Sequence, residues 1–230
     1  MFFAAAAVVV DELHMVGDGH RGCHLEIALS KIRYLQKRSL GLQYNSARTA
    51  IVGMSATLPN IGVVAKWLSA DVFIAGDKER PIPLQEFVSS GTCVYRKDLQ
   101  QDRHLHLDDG LAPMNVKVLH ALCKETVKDD GSVLVFCKSR AATEQACREI
   151  SSQFGATRSF NVPDGNDELM FESYDILGGT SMRKEAALLW KGIQSGCAFH
   201  HAGLSNEERA IVEQCYRETL VRVMFATSTV

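Results

Sequence analysis

The 230-residue sequence has no C-x-x-C pair among its seven cysteines, no H-E-x-x-H, no internal repeat and no low-complexity tract. These absences remove the usual zinc and thioredoxin-like motifs, the zincin signature and the repeat architectures from consideration. No apolar stretch is long enough to span a bilayer. There is no surplus of basic charge either: 25 Lys and Arg stand against 27 Asp and Glu, a formal net charge of -2. Any contact with a nucleic-acid backbone would have to come from a local groove. No G-x-x-x-x-G-K-[ST] occurs, so the loop that commonly cradles nucleotide phosphates is not encoded in these residues. Cys23, Cys93, Cys123, Cys137, Cys147, Cys197 and Cys215 fall mostly within apolar stretches, and are expected to be reduced, buried thiols in a reducing compartment. Met1–Val10 is almost wholly apolar, but it lacks a basic leading region and runs straight into Asp11 and Glu12. It is therefore expected to be a buried strand and not a secretory signal.

What is present is the balance of a globular protein, 46% hydrophobic and 23% charged. Short apolar runs alternate with amphipathic segments, the pattern of an α/β protein with a mostly parallel sheet. Strands are expected at Ala6–Val10, Ala50–Met54, Val72–Ala75, Val133–Cys137, Cys197–His200 and Val221–Ala226. Helical spacing recurs through Leu25, Ala28, Leu29, Ile32 and Leu35, with Lys37 and Arg38 suited to the negative pole of that helix. It recurs through Val118, Leu119, Leu122 and Val127, through Ala146, Cys147 and Ile150, and through Met182, Ala186, Leu189, Trp190 and Ile193. Ser205 with Glu208 reads as a capping box. Gly76–Pro83, charged and with two prolines, is the expected hinge between two lobes. Ser39–Arg48 and Gly155–Gly179 are weakly patterned and are expected to be surface loops.

Val8, Val9 and Val10 deliver Asp11 and Glu12 to the expected carboxyl end of a parallel strand, where open α/β sheets bind ligands. Adjacent strand residues face opposite ways, so both carboxylates can serve one site only if the backbone turns there, which Gly17, Asp18 and Gly19 make feasible. Such a pair suits phosphoryl transfer to water, one carboxylate holding Mg²⁺ and the other orienting the water. A solvated strand end is the plain alternative. Ser55 and Thr57, in Gly53-Met54-Ser55-Ala56-Thr57-Leu58-Pro59-Asn60, offer hydroxyls at a second strand end, or else a helix cap. His200 and His201 have no second ligand pair at zinc spacing, so packing and hydrogen bonding are their expected roles. Lys138 and Arg140 suit either phosphate contact or a solvated turn. Trp67 and Trp190 occupy apolar helix positions and are expected in the core.

The strings VVVDELHMVGDGHRG, GMSATLPN, VLVFCKSR, CAFHHAGLSNEERAIVE and ATST, in this order, resemble motifs II to V of superfamily 2 DExH-box helicases. With RPIPLQEFV, the resemblance leads to the DNA-helicase branch containing the helicase-like domain of DNA polymerase theta and its sister helicase. It implies two RecA-like parallel-sheet lobes, the first incomplete: 1–80 from the first lobe, 81–91 as linker and 92–230 as a truncated second lobe. It implies an ATP- and Mg²⁺-dependent motor with 3'-to-5' polarity, working on single-stranded or partly duplex DNA in repair, with a nuclear location. Carried over by position, Asp11 holds Mg²⁺ through water, Glu12 activates water, and His14 couples the site to the second lobe. Ser55, Ala56 and Thr57 link hydrolysis to motion, while Lys138, Arg140, His201 and Thr227 approach the nucleic-acid backbone. Lacking the phosphate loop and the family's last arginine motif, the chain alone is expected to turn over ATP poorly. An RNA helicase of the exosome-assisting or spliceosomal kind, and a non-catalytic binding module, are the alternatives.

Overall fold

The computed structural model describes residues 6–19, 22–39, 49–56, 58–76, 79–108, 112–157 and 167–227. The chain divides into two compact units, Met1–Leu84 and Gln85–Val230.

In the smaller unit, β1 (Ala7–Val10) pairs in parallel with β2 (Ala50–Gly53), Ala7 beside Ala50 through to Val10 beside Gly53. The helices are α1 (Gly22–Ser39) and α2 (Ile61–Leu68). The core is small: Val10, Leu13, Leu29 and Leu68, with Trp67 packed against it. The expectation that the first strand is buried holds only for Val10; Val9 is 63% exposed. The reason is topological. A parallel strand becomes buried on both faces when helices and neighbouring strands cover it, and β2 is its one partner among the described residues. Val72–Ala75, expected as a strand, is not one: no ladder partner lies beside it among the described residues, and Phe73 is 85% exposed. Of the expected loop Ser39–Arg48, Ser39 ends α1, and residues 40–48 lie outside the described residues.

The larger unit opens with an antiparallel meander, β3 (Phe87–Ser90), β4 (Cys93–Arg96) and β5 (Gln101–His104). Residues 85–90, read from sequence as linker, thus belong to this unit and include its first strand. Gly91, at φ +57°, supplies the left-handed turn between β3 and β4. Val94 and Leu105 of the meander are buried with Ala121 of α3 (Met114–Lys128). There follow β6 (Val133–Cys137), α4 (Arg140–Thr157), α5 (Asp167–Ile176), α6 (Lys184–Gln194), β7 (Cys197–His200), α7 (Asn206–Arg217) and β8 (Val223–Thr227). The sheet is all parallel, in the order β6-β8-β7. The α/β architecture with parallel-strand sheets is the one expected, consistent with a RecA-like helicase fragment.

Every residue of β7 is buried, because helices α4, α6 and α7 pack on it. The core gathers Phe199, Phe225, Val223, Ile193, Leu189, Cys147 and Cys197, among others, with Trp190 against its edge. The expected loop Gly155–Gly179 is in part a helix. Leu169 and Ser173 of α5 are buried, and Ser173 Oγ lies 3.3 Å from Cys215 Sγ of α7. Leu169, Ser173 and Leu177 recur at a spacing of four, enough to seat one apolar stripe. All seven cysteines are free thiols. Burial pushes the Cys123 and Cys147 thiols up to about 12. Cys23, however, is exposed, and Cys93 and Cys137 are only half-buried, so the expectation of uniform burial fails for these three.

His120 of α3 is 3% exposed, with its ring edge-on to Phe154 at 4.7 Å and, among the described residues, no hydrogen-bond partner for its Nε2. Burial holds its pKa below the ordinary 6.5, against the opposing pull of Asp108, whose Oδ2 is 3.5 Å from Nδ1; nearby Lys124 adds to the lowering. The unfolded chain therefore takes up this proton more readily than the folded one. The contribution of His120 is intact above pH 6.5 and is lost as pH falls through and below that value. Urea midpoints measured above and below this window should drop on the acid side, and His120→Phe should reduce the drop. An unchanged pH dependence in the variant would show that the ring is not its source.

Candidate functional site

β1 ends in a sharp backbone reversal. Glu12 adopts φ 53°, ψ 41°, the left-handed region that a residue with a side chain seldom enters. The turn needed to bring two adjacent carboxylates to one site is thus made at Glu12 itself, ahead of Gly17-Asp18-Gly19. It sends Leu13 inward, 4% exposed, and leaves Asp11 and Glu12 exposed. A 3-10 turn, Leu13–Gly17, follows, and Gly22 opens α1 directly against it. A Cβ on Gly22 would lie 2.0 Å from the Met15 carbonyl oxygen, so only glycine permits that approach. Gly53 likewise makes room for Leu13, whose Cδ2 would meet a Cβ there at 2.5 Å.

The parallel pairing continues beyond both strands. Met54 N–H donates to the Val10 carbonyl at 2.8 Å, and Leu13 N–H donates to the Met54 carbonyl at 2.9 Å. This fixes residues 54–56 beside the Asp11-to-His14 turn. Two contacts then converge on one nitrogen: His14 Nδ1 lies 3.2 Å from Glu12 Oε2 and 3.3 Å from the Ala56 amide nitrogen. A bare Nδ1 accepts from the Ala56 N–H, whereas a protonated Nδ1 donates to Glu12, so the two bonds alternate. Ser55 Oγ donates to the Ala56 carbonyl at 2.8 Å. Asp11, Glu12, His14, Ser55 and Ala56 therefore form one cluster; Thr57 lies outside the described residues.

The donor set fits Mg²⁺. Asp11 Oδ1 accepts the Glu12 N–H at 2.9 Å, which leaves Oδ2 uncommitted among the described residues. Mg²⁺ characteristically takes one or two carboxylates, several waters and phosphate oxygens, and does not need a full protein cage.

The second group of residues sits at the carboxyl edge of the β6-β8-β7 sheet. The register places Cys137 beside Thr227 and His200 beside Ala226, so all three strands end together. Lys138 and Arg140 are exposed in the turn into α4, and Thr227, 8% exposed, ends β8. A Cβ on Gly203 would be 3.5 Å from Arg140 Cδ, so the turns after β6 and β7 adjoin. His201 stands apart from the other three. It is 4% exposed, its Nδ1 accepts the Gly203 N–H at 3.0 Å, and its Nε2 is 3.2 Å from Glu144 Oε1. Accepting at Nδ1 puts the proton on Nε2, which donates to Glu144. In this geometry the ring clamps the His-Ala-Gly turn onto α4 and presents no free nitrogen to a backbone. His200 is 2% exposed with Nε2 2.9 Å from Glu213 Oε1. The partners Glu144 and Glu213 lie on α4 and α7 and are set by tertiary packing, whereas Gly203 bonds His201 locally, two residues along the same turn.

No family model matches the chain. Relatives do. DNA polymerase theta of Mus musculus is 38% identical over 239 aligned positions, covering 96% of this chain and 9% of that protein. The ATP-dependent DNA helicase Hel308 of Thermoplasma volcanium is 32% identical over 222, covering 96% of the chain and 27% of the helicase. Helicase POLQ-like of Homo sapiens is 30% identical over 230, covering 96% and 19%. The chain thus spans between about a tenth and a quarter of the length of these relatives. It is homologous, along nearly its whole length, to a stretch within proteins of the polymerase theta and Hel308 kind.

Proposed function

We propose that this superfamily 2 DNA helicase-like region is a segment of an ATP-driven motor that moves along single-stranded or partly duplex DNA, with 3'-to-5' polarity, in the nuclear repair of DNA. The observation that carries the reading is the cluster at the end of β1. There the left-handed turn at Glu12 presents Asp11 and Glu12 together, and His14 bridges them to the Ser55-Ala56 segment. Asp11 would hold Mg²⁺ through water, and the ion, when bound, would supply positive charge to phosphate oxygens. Glu12 is the base that orients and deprotonates water. His14 reads the state of Glu12: while its proton is shared with the carboxylate it cannot accept from Ala56, so a change at the phosphate is passed to the segment after β2. Asp11, Glu12, His14, Ser55 and Ala56 form the hydrolytic and coupling group in this proposal, with Thr57 joined to it by resemblance. Lys138, Arg140 and Thr227 offer charge and a hydroxyl to the DNA backbone at the second sheet's carboxyl edge, and His201 serves them by holding the neighbouring turn. The split at Leu84 supports a first lobe ending near residue 80, and a second that begins at Gln85 and takes in β3 and part of the expected linker 81–91.

The test is ATP turnover by the purified chain with and without single-stranded DNA, beside Glu12→Gln. Since no G-x-x-x-x-G-K-[ST] lies in the 230 residues, turnover by the chain alone is expected to be poor, and any residual DNA-stimulated activity is expected to vanish in the variant. Robust turnover that Glu12→Gln leaves intact would refute the assignment of Glu12. Matched DNA and RNA duplexes distinguish this reading from an RNA helicase, which shares the GMSATLPN segment.

A further inference from the structure

Outside the helicase motifs, the outer face of the antiparallel meander carries a cluster that neither the motor reading nor the relatives account for. Cys93 of β4 stands directly opposite His104 of β5. Its Sγ lies 3.5 Å from His104 Nδ1 and 3.9 Å from Nε2, so the sulfur meets the imidazole whichever nitrogen carries the proton. Tyr95, two residues along β4, lies on the same face, and Cys93 beside it holds the phenol above its ordinary range. The opposite face is the one that packs: Val94 is 1% exposed and is buried with Leu105 and Ala121. Cys93 is half-buried and His104 exposed, so the cluster opens to solvent.

The other thiols are less suited to reaction. Burial holds Cys123, Cys137, Cys147, Cys197 and Cys215 all above the ordinary thiol range. Cys23 is exposed, but among the described residues no imidazole lies within hydrogen-bond distance of it. A nucleophilic cysteine needs access and a group to take its proton, and Cys93 has both.

We propose that Cys93 is a modification site that takes up low-molecular-weight disulfides by thiol–disulfide exchange, with His104 as its base. The Cys93 proton passes to His104, and Sγ attacks one sulfur of the disulfide as its S–S bond breaks. The leaving thiolate then takes the proton from His104 and departs as a free thiol. Cys93 is oxidised to a mixed disulfide, and the reagent supplies the oxidising equivalent. A thiol reductant reverses the step.

The experiment is a time course of the intact 230-residue chain with glutathione disulfide, from about pH 6 to about pH 9, across the ordinary ranges of imidazole and thiol. Intact mass and peptide mapping give the rate at each cysteine. Cys93 is expected to be modified first, severalfold faster than Cys23, and Cys93→Ser to abolish that first adduct. His104→Gln should slow Cys93 severalfold and shift its pH profile to the alkaline side, with Cys23 unchanged as an internal control for folding. Equal or faster modification of Cys23, or a Cys93 rate indifferent to His104→Gln, would overturn the proposal.

Discussion

Phe225→Ala is expected to remove most of the stability of the larger unit while leaving the smaller one folded. Phe225 lies in β8, the central strand of the three, and is fully buried between Val135 of β6 and Phe199 of β7 in the register. Deleting a buried phenylalanine removes its transfer free energy and leaves a cavity, a loss of about 3–5 kcal/mol. Against the roughly 5–15 kcal/mol that hold a typical domain together, this is large. Cavity collapse cannot recover much of it, because the neighbours Phe199 and Val223 are themselves 0% exposed and fixed in paired strands. The two tryptophans make the measurement specific: Trp190 packs on the core of the larger unit and Trp67 on that of the smaller. In a Trp67→Phe background, the urea midpoint of Trp190 fluorescence should fall sharply. In a Trp190→Phe background, that of Trp67 should stay where it is. A Trp190 midpoint unmoved by Phe225→Ala would show that β8 is not the keystone of the sheet.

Legibility in the sequence followed the strength of local pattern. The runs Val133–Cys137 and Cys197–His200 are bounded by turn residues and coincide with β6 and β7. The last strand begins two residues later than its apolar run suggests, because the Val221 N–H is taken by the Cys215 carbonyl at the end of α7 and is not free for the ladder. The meander is harder to read. FVSS, CVYR and QDRH are short and half polar, and the pairing that stabilises them is cross-strand, so no single segment reveals it. The Ser90-Gly91 dipeptide between two β-prone runs was the available signal. At the site, the sequence names Asp11, Glu12 and His14 but not the bond from Ala56 to His14. These residues are 42 apart, and they meet only because the β1-β2 register places Val10 beside Gly53. Likewise His201 reads as a contact residue from its motif, whereas Glu144, 57 positions away, closes its ring into the fold.

Glu208→Ala should be the most disruptive single change at the entrance to α7, and its size separates two accounts of what Glu208 does. The capping box expected from Ser205 and Glu208 is complete. Ser205 Oγ accepts the Glu208 N–H at 3.1 Å, and Glu208 Oε2 accepts the Ser205 N–H at 2.7 Å, while Oε1 pairs with Arg183. Glu208 is 5% exposed, so removing its carboxylate strands the Ser205 N–H in a site with little access to water. A charged hydrogen bond of this kind contributes about 1.5–3 kcal/mol. The Arg183 side chain is 62% exposed, and solvent screening leaves its ion pair only a small share, below about 1 kcal/mol. If the cap dominates, Glu208→Ala costs about 2–3 kcal/mol, Ser205→Ala about 1, and Arg183→Met much less than either. The double variant Ser205→Ala/Glu208→Ala then falls short of the sum, since both arms belong to one box. If Arg183→Met instead matched Glu208→Ala, the ion pair and not the cap would anchor the helix. The Leu204 N–H donates to the His201 carbonyl at 3.1 Å, so a frayed start to α7 also loosens the turn that His201 clamps beside Arg140. If Lys138 and Arg140 contact DNA as proposed, weaker DNA binding in Glu208→Ala, with both residues intact, is expected to track the loss of the cap.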